Sequence, residues 1–206
     1  MEIIVLADEE QQQEFLSKKI NPEVKIIFTG KTFQAQTANA DAIFILLQEI
    51  PDDLRAINKT PVFINAVSKT LNHFPIDNVH RFNGWNGFIN RPVWEIASNH
   101  ENIVTQVFKM LQWQYTLVKD EPGMVTARIL SMIINEAYYA FGEGVSTKKE
   151  IDLAMKLGTN YPYGPFEWAN KIGLNNIYGL LKILEKNNER YTVAEAMQNE
   201  MENKKY

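Results

Sequence analysis

Cysteine is absent from this chain of 206 residues. Its absence excludes disulfide bonds, cysteine-ligated zinc and a cysteine nucleophile, and it is typical of a reducing compartment, so a cytoplasmic location is expected. The amino terminus lacks a cationic stretch followed by an apolar one, so the sequence predicts no secretory signal. No apolar run approaches the ~20 residues that a membrane-spanning helix needs, and no membrane partner is expected.

Positive charge is also scarce. The chain has 21 Lys and Arg residues against 25 Asp and Glu residues, a formal net charge of −4, and its basic residues form no cluster. Binding to nucleic-acid phosphates needs a concentrated basic surface, so a nucleic-acid partner is not expected. The three histidines, His73, His80 and His100, match no metal-ligand spacing. The sequence therefore predicts no metal site.

Glycine is scarce in the first part of the chain, where only Gly30 precedes residue 84. The stretch EIIVLA (2–7) is typical of a buried strand, and the polar residues after it favour a helix, which is how dinucleotide-binding domains usually begin. Such domains place glycines at this turn so that the backbone can approach a pyrophosphate. Here the turn carries Ala7, Asp8 and Glu9. Side-chain bulk and negative charge predict that a dinucleotide does not bind there in the usual way.

Short apolar runs alternate with polar, helix-compatible stretches over the first hundred residues. Near-continuous apolar runs of this kind are typical of strands covered on both faces in a parallel sheet. The sequence thus predicts a shortened Rossmann-like α/β domain with a parallel sheet, followed by an all-helical domain. We place the two domains at 1–119 and 120–206. The predicted strands cover 2–7, 24–28, 41–47, 61–66 and 79–85, and helices are predicted over 10–20 and 51–58.

Local signals define the start and end of helices in the second half. Pro122 and Gly123 are predicted to open a long amphipathic helix, because the fixed φ angle of proline suits a first helical position. Thr147 and Glu150 form a predicted capping box, and Gly158 is predicted to end the helix that the box begins.

Two stretches of the C-terminal half, DEPGMVTARILSMIINEA (120–137) and EGVSTKKEIDLAMKLGTNYPYGPFEWANKIGL (143–174), resemble the C-terminal domain of the 3-hydroxyacyl-CoA dehydrogenases. In that family a helix opens with Pro-Gly and an Asn-Arg pair, and an Asp-x-Ala-Met segment runs into a Tyr-Pro-x-Gly-Pro-Phe turn. VHRFNGWNGFINRPVWEIAS (79–98) resembles the stretch that ends the family's nucleotide domain and carries its catalytic histidine. The resemblance extends more loosely over 38–200, and it implies an NAD-binding domain that is shortened and degenerate.

The resemblance also implies a set of reacting groups. Family members oxidise a 3-hydroxyacyl-CoA with NAD, using a histidine that takes the hydroxyl proton and a glutamate that orients this histidine. Matched without gaps, the histidine position falls on Asn86 and the glutamate position on Ser98, or on Glu95 if the match includes a short gap. A carboxamide takes no proton near pH 7, and loss of a general base slows a reaction by roughly 10²–10⁴-fold.

A serine and an asparagine of the family help to hold the substrate oxygen. The asparagine position falls on Ala127, which offers no side-chain hydrogen bond, whereas Arg128 after it is kept. The serine position falls on Val67 or Ser68, and the residues do not distinguish the two. No catalytic group of the family is predicted to be intact. No cofactor is assigned, and NAD is expected only if the family activity is retained.

Several further groups are open to two interpretations. His80 or His100 is a candidate for a displaced base, although a structural or surface role is favoured for each. Gly30 with Lys31 is a weak phosphate signal that is better explained as an ordinary turn, and Lys69 is no more distinctive as a ligand for CoA phosphates. The aromatic residues around the YPYGPF turn either line an acyl pocket or fill the core, and the core is favoured: Tyr161, Tyr163, Phe166 and Trp168.

Three hypotheses for function follow. The first is a 3-hydroxyacyl-CoA dehydrogenase-like protein of fatty-acid metabolism, a pseudoenzyme that has impaired or lost NAD-dependent hydride transfer and keeps an acyl-CoA ligand. The second is an active NAD-dependent 3-hydroxyacyl-CoA oxidoreductase with a reduced site. The third is a non-catalytic dimerisation module. The helical domain makes the dimer in this family, and the long apolar helix predicted over 125–141 leads us to expect a homodimer.

Overall fold

The chain forms two compact units, 1–124 and 125–206. The predicted helix over 51–58 lies mostly outside the residues that the structure describes. No helix within the described ranges combines the length and apolar character needed to cross a membrane. The structure, a computed structural model, describes residues 1–30, 40–49, 54, 57, 59–74 and 76–203.

The first unit contains a mostly parallel sheet flanked by helices. Its described elements are β1 (Glu2–Leu6), α1 (Glu9–Leu16), β2 (Lys25–Thr29), β3 (Ala42–Ile45), β4 (Val62–Asn65), β5 (Val79–Phe82), β6 (Val93–Ala97), α2 (Glu101–Leu111) and β7 (Gln114–Leu117). Strand order is β2-β1-β3-β4-β5-β6-β7. Strands β1 to β5 are parallel, whereas β6 runs antiparallel to β5 and β7 runs parallel to β6. The predicted α/β architecture is therefore confirmed.

The sheet separates two apolar layers, because successive side chains of a strand point to opposite faces. On β1, Ile3 and Val5 join one cluster of buried residues, and Ile4 and Leu6 join another. All four are fully buried, which explains the continuous apolar run that predicted this strand. The five predicted strands are present within a few residues of their expected ends. Strand β6 was not predicted, and β7 overlaps YTLVKD (115–120), for which the sequence indicates only a short extended piece.

The second unit is helical, as predicted. Its helices are α3 (Thr126–Gly142), α4 (Lys148–Thr159), α5 (Pro165–Ile172), α6 (Leu174–Glu185) and α7 (Glu195–Asn203), with a 3-10 turn at Glu189–Tyr191. The predicted capping box is confirmed: the Thr147 side chain accepts from the Glu150 N–H, and the Glu150 carboxylate accepts from the Thr147 N–H. Pro165 is the first residue of α5, also as predicted.

The prediction that Pro122 and Gly123 open the long helix is wrong, because α3 begins only at Thr126. Gly123 and Met124 have φ angles of 81° and 49°, in the left-handed region that an α-helix does not use. The Gly123 N–H donates to the Val67 carbonyl oxygen at 2.8 Å, so this segment forms a turn that is tied to the loop after β4.

The predicted end of α4 at Gly158 is also wrong. The helix continues to Thr159, and Asn160 follows it with a φ angle of 55°. Asparagine tolerates the left-handed conformation at a helix end better than most residues, so it takes the role expected of the glycine.

Candidate functional site

The amino end of α1 is closed by the chain itself. Asp8 is the N-cap residue: its side chain accepts from the Gln11 N–H at 2.9 Å, and the Gln11 side-chain oxygen accepts from the Asp8 N–H at 3.1 Å. Glu9 and Glu10 follow in the first turn, both exposed. These carboxylates complement the positive end of the helix, which in dinucleotide-binding folds faces the pyrophosphate. Ala7 before them is buried.

Side-chain amides fill the point where the strand order changes direction, between β1 and β3. Ligands of open α/β sheets usually bind at this point, outside the carboxyl ends of the strands. The amides of Gln11 and Asn65 each donate to the Leu46 carbonyl oxygen at 2.8 Å. Asn65 also donates to the Gly84 carbonyl oxygen and accepts from its N–H, both at 3.0 Å. Gln11 and Asn65 are only 3% and 5% exposed.

The glycines of NGWNG (83–87) serve the packing of this loop. A Cβ on Gly84 would lie 2.6 Å from the Phe82 ring and 2.8 Å from the Asn65 side chain, so this position has no room for a side chain. Gly87 has a φ angle of 88°, and its N–H donates to the Glu14 carboxylate at 2.7 Å. The loop is therefore bonded to α1.

Asn86, the predicted equivalent of the family histidine, lies against the same helix. Its side-chain amide donates to the Glu10 carboxylate at 3.2 Å. An amide held in this way can donate a hydrogen bond but takes no proton at neutral pH. Together with the Gly87–Glu14 bond, this contact brings Asn86 to the first turn of α1.

The register of β5 and β6, continued by one residue beyond the end of β5, aligns Asn83 with Glu95, which the sequence did not reveal. Phe82 lies opposite Ile96 in this antiparallel pair, so Asn83 and Glu95 are the next positions in the same register. Twelve residues separate Asn83 from Glu95, the same spacing as between Asn86 and Ser98. Asn83 is 6% exposed, and its side-chain nitrogen has no hydrogen-bond partner among the described residues. The twelve-residue spacing is the sequence signal that points to Asn83 and Glu95, but it does not distinguish this pair from Asn86 and Ser98.

Ser98, the other predicted equivalent of the family glutamate, lies near a histidine instead. Its hydroxyl oxygen is 2.7 Å from Nδ1 of His80 and accepts from the His100 N–H at 2.8 Å. His80 is fully buried, and its ring centroid lies 4.7 Å from that of Phe63. Burial, with a smaller contribution from His100, lowers the pKa of His80 to about 4. A fully buried histidine with so low a pKa is a poor candidate for the displaced base.

The loop after β4 is held by a buried arginine. Arg81 is fully buried, forms an ion pair with Asp120 and donates to the Ala66 carbonyl oxygen at 2.9 Å. Burial lowers the pKa of Arg81, and the Asp120 carboxylate opposes this shift. Val67 and Ser68 are the two candidates for the position of the family serine. Val67 is buried and Ser68 is half-buried, and only Ser68 has a hydroxyl group. No sequence pattern indicates that Arg81 is buried.

In the second unit, Ala127 is fully buried near the start of α3, and Arg128 lines a cleft of about 710 Å³.

The YPYGPF turn is held by Asp152, whose carboxylate accepts from the Phe166 N–H at 2.8 Å. Burial raises the pKa of Asp152. A Cβ on Gly164 would lie 2.3 Å from this carboxylate, so the turn requires glycine.

The four aromatic residues of the turn divide into two pairs. Phe166 and Trp168 are buried, at 5% and 3% exposed, as the core interpretation predicts. Tyr161 and Tyr163 are 37% and 39% exposed. Tyr163 nevertheless contacts Trp168 edge to face, with ring centroids 4.9 Å apart.

The remaining candidates add no ligand cluster. Lys31 lies outside the described residues, and Lys69 is exposed. Within the described ranges, no three His, Asp or Glu side chains are grouped so that they could hold a metal ion. The polar groups that the structure does bring together are those at the carboxyl ends of β1, β3, β4 and β5.

Comparison with known proteins connects the helical unit to one family. Residues 123–206 match the family model described as the 3-hydroxyacyl-CoA dehydrogenase C-terminal domain. The 3-hydroxyadipyl-CoA dehydrogenase of Escherichia coli K12 is 46% identical over 100 residues, which cover 46% of this chain and 21% of that protein. The 3-hydroxybutyryl-CoA dehydrogenase of Clostridioides difficile is 45% identical over 67 residues, which cover 32% of this chain and 24% of that protein. These matches span less than a quarter of either relative's length.

Comparison with solved structures concerns the fold of the chain. The crystal structure of (S)-3-hydroxybutyryl-CoA dehydrogenase PaaH1 from Ralstonia eutropha matches with a TM-score of 0.74 at 20% sequence identity, covering 96% of this chain and 92% of that chain. At this identity the likeness shows the fold alone. With the family model, it confirms the predicted resemblance to the 3-hydroxyacyl-CoA dehydrogenases, for which the sequence evidence is strongest in the helical unit.

Proposed function

We propose that this chain, which carries the C-terminal domain of the 3-hydroxyacyl-CoA dehydrogenases, is a homodimeric, acyl-CoA-binding relative of those enzymes with impaired or lost NAD-dependent hydride transfer. Its place would be in fatty-acid metabolism. The observation that carries the proposal is the hydrogen bonding at Leu46, where two amides of the chain fill the point at which a dinucleotide usually binds.

The first argument concerns the pyrophosphate. A dinucleotide needs free backbone N–H groups at the amino end of α1 and a close approach to the backbone. The Gln11 N–H is already bonded to Asp8, and Gln11 itself is buried. The carboxylates of Asp8, Glu9 and Glu10 repel a phosphate of the same sign. Charge and packing therefore both oppose binding of NAD.

The second argument concerns the proton. Matched without gaps, the family histidine falls on Asn86, and the register of β5 and β6 adds Asn83 as a second position, twelve residues before Glu95. Either choice puts a carboxamide where the reaction needs a base, and a carboxamide is not protonated at neutral pH. The loss of the base therefore does not depend on which alignment is chosen.

The acyl-CoA ligand and the homodimer are supported by the helical unit. Its family model is that of enzymes acting on 3-hydroxyacyl-CoA thioesters, and its first helix exposes apolar side chains. Ile129 of α3 and Val125, directly before this helix, are 57% and 48% exposed, and a neighbouring protein surface would remove them from water.

The experiment measures two ligands separately on the purified full chain. NADH fluorescence is followed during titration with protein, and acetoacetyl-CoA binding is followed by isothermal titration calorimetry. We expect heat from acetoacetyl-CoA, no change in NADH fluorescence, and no oxidation of NADH when both are present. NADH binding with turnover would replace the proposal by the active-oxidoreductase hypothesis. If neither ligand gives a signal and the protein is a stable dimer, the hypothesis of a non-catalytic dimerisation module would replace the proposal.

A further inference from the structure

Lys18 lies two residues after the end of α1, with its amine against two tryptophan rings. Its Nζ is 4.6 Å from the centroid of the Trp113 ring and 5.7 Å from that of Trp94. The same nitrogen donates to the Arg91 carbonyl oxygen. Lys18 is half-buried, and both tryptophans are buried. These contacts hold the amine at one place on the first unit.

The backbone fixes both indole rings in turn. Nε1 of Trp113 donates to the Lys19 carbonyl oxygen, and Nε1 of Trp94 donates to the Ile89 carbonyl oxygen, each at 2.9 Å. The two rings also contact each other, with centroids 5.2 Å apart. Since both indole N–H groups are already bonded, the Lys18 amine meets an apolar wall and one carbonyl oxygen.

Lys18 lacks the carboxylate partner that would offset the burial of an ammonium group. It forms no ion pair within the described parts of the chain, whereas four other lysines each pair with a glutamate: Lys25, Lys148, Lys156 and Lys182. The rings and the Arg91 carbonyl oxygen attract the charged form. Burial outweighs this attraction and lowers the pKa of Lys18 to about 8.

A lowered pKa makes the amine a stronger nucleophile near neutral pH. At pH 7.5 about a quarter of such an amine is uncharged, against about 0.1% for the ordinary lysine pKa of about 10.4, a gain of about 200-fold. A less basic amine is also less reactive, and a Brønsted slope of about 0.5, as for thiols, reduces this gain roughly 15-fold. The net advantage is about 10-fold at pH 7.5, and it disappears at alkaline pH, where both amines are uncharged.

We propose that Lys18 is an acylation site, at which the amine takes the acyl group of an acyl-CoA thioester and forms an amide. The Lys18 nitrogen attacks the thioester carbonyl carbon, the carbon–sulfur bond breaks, and coenzyme A leaves as the thiol with the proton that the amine gives up. Acylation removes the positive charge from the tryptophan rings and leaves one N–H that can donate to the Arg91 carbonyl oxygen. The inference goes beyond the proposed function, because the reaction needs a dissolved thioester but neither a cofactor nor the family's substrate site.

The test compares two neighbouring lysines of the full chain. The protein is incubated with acetyl-CoA, and peptide fragmentation in a mass spectrometer measures the acetylation rate of each lysine. Lys19 is the matched comparison, because it is next in sequence and exposed. Lys18 should react at least about 5-fold faster than Lys19 at pH 7.5, and this ratio should fall to about 1 by pH 9.5. Lys19→Arg should leave the Lys18 rate unchanged.

Trp113→Phe tests whether the tryptophan wall activates the amine. The smaller ring admits water to Nζ, so the Lys18 rate at pH 7.5 should fall towards the Lys19 rate. Circular dichroism checks the fold of this variant, and the pH dependence of the wild-type chain decides the question if the variant does not fold.

Two results would overturn the acylation site. One is a Lys18 rate that does not exceed the Lys19 rate at pH 7.5, including the absence of acetylation at both lysines. The other is a ratio of the two rates that stays constant with pH, because access to the thioester and not the free amine would then set the difference. Neither result bears on NADH or acetoacetyl-CoA binding, so the proposed function is tested separately.

Discussion

The buried histidine of β5 makes the stability of this protein sensitive to mild acid. His80 is fully buried, its Nδ1 lies 2.7 Å from the Ser98 hydroxyl, and its pKa is lowered to about 4, mainly by burial. In an unfolded chain the pKa of histidine is about 6.5. Between these two values the unfolded chain binds a proton at this site that the folded chain does not.

The sign and size of the effect follow from this difference. Where the unfolded state binds more protons, the free energy of unfolding rises with pH, by about 1.4 kcal/mol per pH unit for one proton. The contribution of His80 is therefore fully present above pH 6.5, is lost as the pH falls, and levels off below pH 4. Between pH 7.5 and 4.5 the expected loss is about 2.5 kcal/mol.

Urea unfolding at pH 7.5, 6.5, 5.5 and 4.5 measures this contribution in the wild-type chain and in His80→Asn, which cannot titrate. The variant is less stable at neutral pH because it loses ring packing, but this loss does not depend on pH. The difference in stability between the two proteins should shrink by about 2.5 kcal/mol from pH 7.5 to pH 4.5. His73→Asn is the control, because His73 is exposed.

A direct readout is the proton NMR titration of the histidine rings. The His80 ring resonance should stay at its neutral position from pH 7.5 down to pH 5, as its low pKa requires. Titration of this resonance near pH 6.5, or an equal pH dependence of wild type and His80→Asn, would show that burial does not keep His80 neutral.

Two further predictions concern groups that support the loops. Gly164→Ala should lower the free energy of unfolding by about 2–4 kcal/mol, because a Cβ there would lie 2.3 Å from the Asp152 carboxylate that caps α5; thermal unfolding measures it. The matched change is Gly158→Ala in the last turn of α4, where an added Cβ meets no atom within 4 Å; it should not destabilise and should stabilise by at most about 0.5–1 kcal/mol, so a loss equal to that of Gly164→Ala would refute the steric reason. Asp120→Asn should cost about 3 kcal/mol in urea unfolding, because the fully buried Arg81 loses its ionic partner. A cost below 1 kcal/mol would show that the carbonyl acceptors of Arg81 suffice.

Much of the fold was predictable because it follows from local patterns. Apolar runs such as EIIVLA marked the strands of the first unit, because a strand covered on both faces has little room for polar residues. The capping box at Thr147 and the proline at 165 marked helix starts through chemistry within a few residues. The family resemblance of the helical unit was equally local, since the motifs that carry it lie within continuous stretches.

The sequence by itself thus determined the two-part architecture, the lack of a glycine loop after β1 and the asparagine at position 86, where the ungapped match expects a histidine. Only the tertiary structure decided which polar groups meet. Nothing in EEQQQEF distinguishes Gln11 from its neighbours, but the rotation of α1 directs this amide alone to Leu46. Likewise, the register aligns Asn83 with Glu95 only because β6 runs antiparallel to β5. Pairings between distant segments depend on register and burial, which are set by packing across the whole sheet and not by neighbours in the chain.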